Sequence, residues 1–387
     1  MGRNVLRSRA TGGGSGPLAP SRARTVVVPL FAALLMVGPG LAPAAPPSPG
    51  TITEFTVTIF GSDPLGIARG PDGSLWFADS NDFDPQKVGR ITTDGTVTGF
   101  PVPDQQPYVD PVGITTGPDG NMWFTEETES ANAIGRINPS TGVVDEFPVP
   151  RPSSVPTGIA LGSDRNLWFT EGVPGGMIGR ITPDGAISEF PIATPGDIPY
   201  GIASGPNGEL WFTEQGVSNI GEMRTDGTLV GEWPVSIADL GLDAIVAGPD
   251  GNVWFTEENA NAIGRLDPRT GIVTEFADDG AAPGSITGGP DGALWFLEES
   301  ANSIGRLDPA NPGAGITHFP VPTNPAFTTG APPTGITAGP DGNIWFTENS
   351  AKTENGPSPV HKIGRLTLVP GVTAVPKPAG PKAAPRR

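Results

Sequence analysis

Short apolar runs alternate with turn-forming residues along most of the chain. In one unit, Gly113-Ile-Thr-Thr, Asn121-Met-Trp-Phe-Thr-Glu and Asn132-Ala-Ile-Gly-Arg-Ile are separated by segments rich in Gly, Pro, Asp, Asn and Glu. Runs of this length, rich in β-branched and aromatic residues and bounded by turn formers, are typical of β-strands. A helix would need apolar positions at spacings of three and four over ten or so residues, which the frequent Pro and Gly exclude. The pattern therefore predicts an all-β protein.

The tryptophans show that these strands form a repeat. Seven of the eight tryptophans are followed by phenylalanine, at intervals of 41 to 50 residues. These residues are Trp76, Trp123, Trp168, Trp211, Trp254, Trp295 and Trp345. A period in the forties with four strand-like runs per period is typical of a β-propeller. We predict a seven-bladed β-propeller of four-stranded antiparallel blades over residues 51–369.

The fourth strand of the unit predicts how the ring closes. Six copies follow their own third strand, as Val143-Val-Asp-Glu-Phe-Pro does, but no copy follows the last third strand at residues 363–367. A seventh copy, Ile52-Thr-Glu-Phe-Thr, stands before the first strand of the repeat. We therefore predict that the N-terminal strand completes the last blade and removes an open sheet edge. His318 replaces the Glu of this motif in the sixth blade and is expected on an outer strand.

The two ends of the chain differ in composition from the repeat. Residues 1–50 contain five arginines and no acidic residue, and an apolar run is followed there by the small-residue site Ala42-Pro43-Ala44. This order is typical of a secretory signal peptide, and the run is shorter than the roughly 20 residues that a membrane span needs. We expect export to the cell envelope or the medium, without a stable membrane anchor. The predicted segments are a cleaved signal peptide over 1–44, a linker over 45–50 and a disordered Pro/Ala-rich basic tail over 370–387.

Composition excludes several kinds of site. The chain has no cysteine, so disulfides, thiol nucleophiles and thiolate metal sites are absent, and its only histidines are His318 and His361. Residues 51–369 carry 14 basic and 41 acidic side chains, a net charge of −27. This charge repels nucleic acid and anionic lipid and favours cationic ligands. We expect a monomer that binds a small-molecule or cationic ligand and no nucleic acid.

The first two strands of each blade are expected to bring an acid to one rim of the ring. The residue before Gly-Ile faces the acid that ends Trp-Phe-Thr-Glu, because the two positions are equally far from the intervening turn. The seven acids are Asp79, Glu126, Glu171, Glu214, Glu257, Glu298 and Glu348. They would either provide oxygen ligands for Mg²⁺ or Ca²⁺ or accept hydrogen bonds from the adjacent loops as structural groups.

Departures from the repeat on this rim indicate where specific binding would occur. At the position before Gly-Ile, only Tyr200 and Asp243 are able to titrate or coordinate a metal, and the sixth blade carries the unusual pair Gly284-Ser285. The predicted ligand rim comprises Tyr200, Asp243, Glu214, Glu257 and Ser285.

The repeated unit resembles the virginiamycin B lyase (streptogramin lyase) family. The motif Gly-Ile-x-x-Gly-Pro-Asp-Gly-x-x-Trp-Phe-Thr-Glu, followed by Asn-x-Ile-Gly-Arg-Ile and Ile-Thr-Glu-Phe-Pro, recurs over residues 51–369. The resemblance implies a seven-bladed propeller that opens the ring ester of type B streptogramins by Mg²⁺-dependent elimination. It also implies a histidine before Gly-Ile in certain blades, an acid two residues earlier, and the glutamate that ends Trp-Phe-Thr-Glu.

The acids of that pattern are present in this chain, whereas the histidines are not. Asp110 and Glu126 match the acid positions of the second blade, but Val112 occupies the histidine position. An ester elimination needs a base and an acid, and valine provides neither. If the chain is a lyase, the expected catalytic residues are Tyr200, Glu126 and Asp110. The expected ligands of Mg²⁺ or Ca²⁺ are Asp110, Glu126 and Glu257.

Three functional hypotheses remain open at this point. The first is a secreted propeller of this family that binds a small ligand or divalent cation at an acidic rim without lyase activity, because the rim histidines are missing. The second is a Mg²⁺-dependent carbon–oxygen lyase that opens type B streptogramins. The third is a sugar-lactone hydrolase that uses a metal held by carboxylates and a bound water. Fold alone does not separate them, because propellers host unrelated functions.

Overall fold

A computed structural model describes ten stretches of the chain and shows seven antiparallel four-stranded sheets. The described residues are 50–59, 62–80, 87–102, 110–127, 132–194, 196–235, 241–279, 282–322, 335–348 and 361–368. The signal peptide, most of the linker and the basic tail that the sequence predicts lie outside these residues. No helix in these stretches has the length and apolar character needed to cross a membrane.

The strands follow one another blade by blade. Strand β1 (Ile52–Thr56) precedes the first blade, which contains β2 (Pro64–Arg69), β3 (Leu75–Asp79), β4 (Lys87–Ile91) and β5 (Val97–Pro101). The second blade contains β6 (Pro111–Thr116), β7 (Met122–Glu126), β8 (Ala133–Ile137) and β9 (Val144–Pro148). The third contains β10 (Pro156–Leu161), β11 (Leu167–Glu171), β12 (Met177–Ile181) and β13 (Ile187–Pro191). The fourth contains β14 (Pro199–Ser204), β15 (Leu210–Glu214), β16 (Asn219–Met223) and β17 (Leu229–Pro234).

The remaining blades repeat this order. The fifth contains β18 (Leu242–Ala247), β19 (Val253–Glu257), β20 (Ala262–Asp267) and β21 (Ile272–Ala277). The sixth contains β22 (Pro283–Gly288), β23 (Leu294–Glu298), β24 (Ser303–Leu307) and β25 (Thr317–Pro320), with a 3₁₀ turn at Pro312–Ala314. The seventh contains β26 (Ile336–Ala338), β27 (Ile344–Glu348) and β28 (Lys362–Leu366), and β1 pairs with β28 as its fourth strand. The predicted fold class is confirmed.

Each interface between blades is centred on a tryptophan of one blade and a phenylalanine of the next. Trp76 of the first blade shares a buried cluster with Phe124 of the second, and the corresponding pair occurs at each following interface. Trp345 of the last blade packs with Phe77 of the first, which closes the ring. Adjacent residues of a strand point to opposite faces, so one Trp-Phe dipeptide serves two interfaces. Burying each of these rings contributes roughly 2–3 kcal/mol.

The Pro-Asp-Gly turns hold the tryptophans in place. In the second blade, the indole N–H of Trp123 donates to Asp119 Oδ1 at 3.1 Å, and the same oxygen accepts the backbone N–H of Asn121. Gly120 has a φ of +76°, which an L side chain would strain. Equivalent bonds to tryptophan occur in the other blades. The turn aspartates, and Asn207 in the fourth blade, therefore have a structural role.

The N-terminal strand closes the last blade through side chains as well as backbone pairing. Residues Ile52 to Thr56 pair antiparallel with Leu366 to Lys362. The ring of Phe55 stacks on Trp345 with centroids 5.4 Å apart, and the guanidinium of Arg365 lies over both rings. Lys362 Nζ is 2.7 Å from Glu54 Oε2. The predicted closure is therefore confirmed.

The innermost strands approach one another so closely that five blades carry Gly before this Ile, whereas the fifth and sixth blades carry Ala244 and Ser285. A Cβ added to Gly201 would lie 2.5 Å from the backbone oxygen of Asp243 in the next blade. The Thr of Trp-Phe-Thr connects the same strands, because Thr213 Oγ1 accepts the N–H of Gly201 and donates to the carbonyl of Asp243. These hydrogen bonds hold the inner strands of neighbouring blades at a fixed distance from one another around the central opening.

We expect Gly201→Ala to destabilise the protein by about 1–3 kcal/mol, because the added methyl overlaps the neighbouring backbone. Gly288→Ala on β22 is the matched control, since a Cβ at Gly288 meets no atom within 4 Å. Chemical denaturation of both variants measures the difference. Equal loss of stability in the two variants would show that the inner strands are not closely packed.

Candidate functional site

The first strands of all seven blades enclose a central cavity of about 430 Å³. Each blade contributes one isoleucine to the apolar wall of the cavity, from the Gly-Ile motif or from the equivalent position where Gly is replaced. These residues are Ile67, Ile114, Ile159, Ile202, Ile245, Ile286 and Ile336. The polar side chains come from the third to the sixth blade: Thr157, Tyr200, Gln215, Asp243, Glu258, Ser285 and Glu299. The cavity is therefore apolar around its wall and acidic on one side.

A backbone irregularity brings the residue before Gly-Ile to the cavity. In the first six blades, the pairing register of the first and second strands shifts at this residue, as it does between Pro199 and Ile202. Such bulges redirect side chains and are frequent beside functional sites. Tyr200 and Asp243, two of the predicted rim residues, reach the cavity in this way, and Ser285 lines it one position further along.

Three carboxyl groups make this side of the cavity electrostatically unusual. Burial, together with the smaller effect of the negative charge of Glu258, raises the pKa of Asp243 to about 7. Burial, together with the charges of Asp243 and Glu258, raises the pKa of Glu299 to about 8. A Cβ on Gly284 would lie 2.5 Å from Glu299 Oε1 and 3.6 Å from Asp243 Oδ2. The missing side chain at Gly284 therefore leaves room for the carboxylate of Glu299, with that of Asp243 close by.

Tyr200 is held as a neutral phenol. The negative charge of Asp243 is the largest cause of its raised pKa, followed by burial and by the charges of Glu127, Glu299 and Glu258. A phenol with a raised pKa keeps its proton at neutral pH and acts as a hydrogen-bond donor rather than as a base.

The acids that end Trp-Phe-Thr-Glu do not lie at the rim that the sequence predicts for them. Glu126, Glu214 and Glu257 are at most 1% exposed, and none of them lines the cavity. A Cβ on Gly264 of the third strand would lie 2.1 Å from Phe255 and 2.7 Å from Glu257 Oε1. The glutamate thus shares the face of the phenylalanine and extends over the third strand towards the fourth.

The reason is that propeller sheets face their neighbouring blades and not the axis. A shift of one residue moves a side chain to the other face of a strand. In the fourth, fifth and sixth blades, the residue after the motif, and not the motif glutamate, therefore lines the cavity. Gln215, Glu258 and Glu299 occupy this following position. Their signal in the sequence is variation, because the seven residues at this position are Ser80, Glu127, Gly172, Gln215, Glu258, Glu299 and Asn349.

The three predicted metal ligands are not brought together. Asp110 accepts a hydrogen bond from Ser80 Oγ at 2.8 Å, while Glu126 and Glu257 are buried in different blades. Within the described stretches, three ligand atoms lie within 4.8 Å of one another in two groups, namely Asp278–Glu298–His318 and Asp197–Glu214–Glu232. Acidic groups that could hold a metal ion are therefore present, but in other combinations than predicted.

Neither histidine is among the cavity-lining residues. His318 lies on the outer strand β25, as expected, with Nδ1 2.6 Å from Glu298 Oε1. His361 is 8% exposed, with Nδ1 3.6 Å from Asp63 Oδ1. As far as the described residues show, the central cavity combines carboxylates with a phenol and has no imidazole.

Comparison with known proteins gives the family. The model of the virginiamycin B lyase family matches residues 47–232 and 192–385. A streptogramin B lyase structure is 33% identical, with a TM-score of 0.70, over 82% of this chain and 98% of that chain. A catalytically inactive histidine-to-alanine variant of virginiamycin B lyase from Staphylococcus aureus, solved with quinupristin, is 34% identical, with a TM-score of 0.70, over 82% and 99%.

A more distant structure shares only the fold of this chain. The WD40 propeller domain of Doa1 matches with a TM-score of 0.62 at 11% identity, over 83% of this chain and 97% of that chain, which shows the fold alone. A search of curated proteins finds no match. The family model and the two lyase structures span nearly the whole propeller. This chain belongs to the virginiamycin B lyase family.

Proposed function

We propose that this protein is a ligand-binding member of its family that lacks lyase activity and binds a small-molecule ligand whose cationic group enters the central cavity. The observation that carries the proposal is the composition of the cavity among the described residues: Asp243, Glu258 and Glu299 beside the neutral phenol of Tyr200, without histidine. An elimination needs a base matched to neutral pH and an acid for the leaving oxygen, which histidine ordinarily supplies.

The shape and charge of the cavity support a ligand with an apolar body and a cationic or N–H donor group. A volume of about 430 Å³ is in the range of small-molecule sites. The ring of isoleucines would cover the apolar part, and Asp243 and Glu299 would pair with the positive charge. The net charge of −27 over residues 51–369 would also attract cations to the opening.

A solved relative supports the separation of binding from turnover. The Staphylococcus aureus variant with one histidine replaced by alanine is catalytically inactive, yet its structure contains quinupristin. A protein of this family that lacks a histidine therefore still accommodates a streptogramin. We infer that this chain retains the binding surface of the fold and has a different polar lining.

One observation favours a second candidate, a Mg²⁺-dependent lyase. Asp243 occupies the position where the family resemblance implies histidine in certain blades, and its pKa of about 7 is that of an effective general base. The oxygen donors of Glu258 and Glu299 suit Mg²⁺, which binds through one or two carboxylates and retains water. When bound, the ion would stabilise developing negative charge on the substrate.

The test measures binding of quinupristin to the full chain by calorimetry at pH 8. We expect Asp243→Asn to weaken binding at least tenfold, about 1.4 kcal/mol, because the ligand loses its charged partner. Glu257→Gln is the matched control, since it removes a carboxylate from the same blade but outside the cavity, and binding should change less than twofold. Equal losses in the two variants, or no binding to the parent protein, would overturn the proposal.

A further inference from the structure

Two departures from the repeat meet where the fifth blade packs against the sixth. Asp278 follows β21, Glu298 ends β23 and His318 lies on β25. One ligand atom from each lies within 4.8 Å of the others, and none of the three lines the central cavity. Glu298 also accepts a hydrogen bond from the hydroxyl of Ser303. This cluster is independent of the function proposed above.

Asp278 occupies a position that the other blades fill with an aliphatic side chain. This position lies two residues after the phenylalanine of the fourth strand, or after the tryptophan in one blade. The equivalent residues are Val57, Val102, Val149, Ile192, Val235 and Val321. The five valines are 3–8% exposed, and Asp278 is 2% exposed. Neither carboxylate oxygen of Asp278 has a hydrogen-bond partner among the residues that the structure describes. Burying a carboxylate without a partner costs several kcal/mol, so its presence here calls for a compensating ligand.

His318 is the second departure. The same position of the fourth strand holds a glutamate in five other blades: Glu54, Glu146, Glu189, Glu232 and Glu275. The sixth blade has a histidine in place of this glutamate, and it is also the blade against which the carboxylate of Asp278 lies. Together with Glu298, the exchange produces one nitrogen and two carboxylate donors.

We propose that Asp278, Glu298 and His318 form a binding site for a divalent transition-metal ion of the Zn²⁺ type. Imidazole and carboxylate donors suit Zn²⁺, whereas Mg²⁺ and Ca²⁺ prefer oxygen ligands alone. Ligands about 2.0 Å from a tetrahedral ion lie about 3.3 Å apart. Small side-chain rotations bring the three groups to that spacing from separations between 2.6 and 4.8 Å.

The surroundings favour a site that metal enters from one side. The side chain of Glu298 is fully buried, whereas that of His318 is 44% exposed. The buried carboxylates would fix the ion, and the exposed side would leave a fourth position for water. The group Asp197–Glu214–Glu232 in the fourth blade has oxygen donors alone, so it serves as an internal comparison.

The test uses the full chain, freed of metal with EDTA and titrated with Zn²⁺ by calorimetry and thermal unfolding. We expect one ion bound at this site and a rise in the unfolding temperature, because the ion binds the folded state. Asp278→Val restores the residue of the repeat and should lower the affinity at least thirtyfold. It should also raise the unfolding temperature of the metal-free protein. His318→Gln should lower the affinity without that rise.

Two controls locate the ion. Glu232→Gln alters the oxygen-only cluster and Asp243→Asn alters the central cavity, and both should retain the response to Zn²⁺. Retention of the full response in Asp278→Val and His318→Gln would overturn the proposal. Loss of the response in either control would do so as well, because the ion would then bind elsewhere.

Discussion

A chain that begins at residue 59 is expected not to form a stable propeller, whereas a chain that begins at residue 47 should fold like the full-length protein. The shorter chain lacks β1 and leaves the seventh blade with three strands and an unpaired edge at β28. Trp345 loses its stacking partner Phe55, and Lys362 loses its contact with Glu54. Unpaired strand edges and exposed aromatic rings promote aggregation.

Size-exclusion chromatography and circular dichroism of the two chains measure this effect. A synthetic peptide of residues 47–58, added during refolding, should restore part of the folded fraction, because the missing strand is supplied from outside. A shorter chain that unfolds at the same temperature as its control would show that closure by the N-terminal strand contributes little.

The second large effect expected is a fall in stability as the pH rises from 5 to 8 in the presence of EDTA. Three buried glutamates have raised pKa values, and burial is the largest cause in each case. The pKa is about 8 for Glu126, about 8 for Glu348 and about 7 for Glu171. Each carboxyl binds its proton more tightly in the folded protein than in the unfolded chain, where its pKa is near 4.3. The resulting stabilisation is complete below the unfolded pKa and is lost as the pH rises through the folded pKa.

Glu126→Gln isolates one of these groups. Each pH unit between the folded and unfolded pKa corresponds to about 1.4 kcal/mol, so the variant should resemble the parent protein at pH 5 and be more stable at pH 8. Asp184→Asn removes an exposed carboxylate from a turn and is the matched control, with no change expected at either pH. Urea denaturation at the two pH values measures the difference. A parent protein whose stability rises from pH 5 to 8 would contradict this assignment of the buried carboxyls.

The fold was predictable because local patterns determine it. Trp-Phe recurs at the spacing that is typical of propeller blades. The last blade is the only one that lacks a fourth-strand motif after its third strand, so the copy at Ile52 can only complete that blade. Alternation along a strand also predicts that Trp123 and Phe124 serve different interfaces. These inferences depend on residues near one another in sequence or on a strict period, so they need no knowledge of the three-dimensional arrangement.

The site was only partly predictable, for two physical reasons. Tyr200 and Asp243 were found because they break the repeat, but Glu258 and Glu299 were missed by one residue, since the direction of a side chain at a strand end depends on where the strand leaves the sheet. The replacement of valine by Asp278 is visible in the sequence. The proximity of Asp278 to His318 cannot be read from the sequence, because the two residues belong to different blades and their separation depends on how the blades pack.

Mass spectrometry of quinupristin incubated with the full chain and Mg²⁺ distinguishes binding in the cavity from opening of the ring ester. We expect the antibiotic to remain cyclic at protein concentrations that bind it, with the same result when EDTA replaces Mg²⁺. Mg²⁺-dependent formation of the linear product, abolished by Asp243→Asn and retained in Glu257→Gln, would instead establish the chain as a lyase.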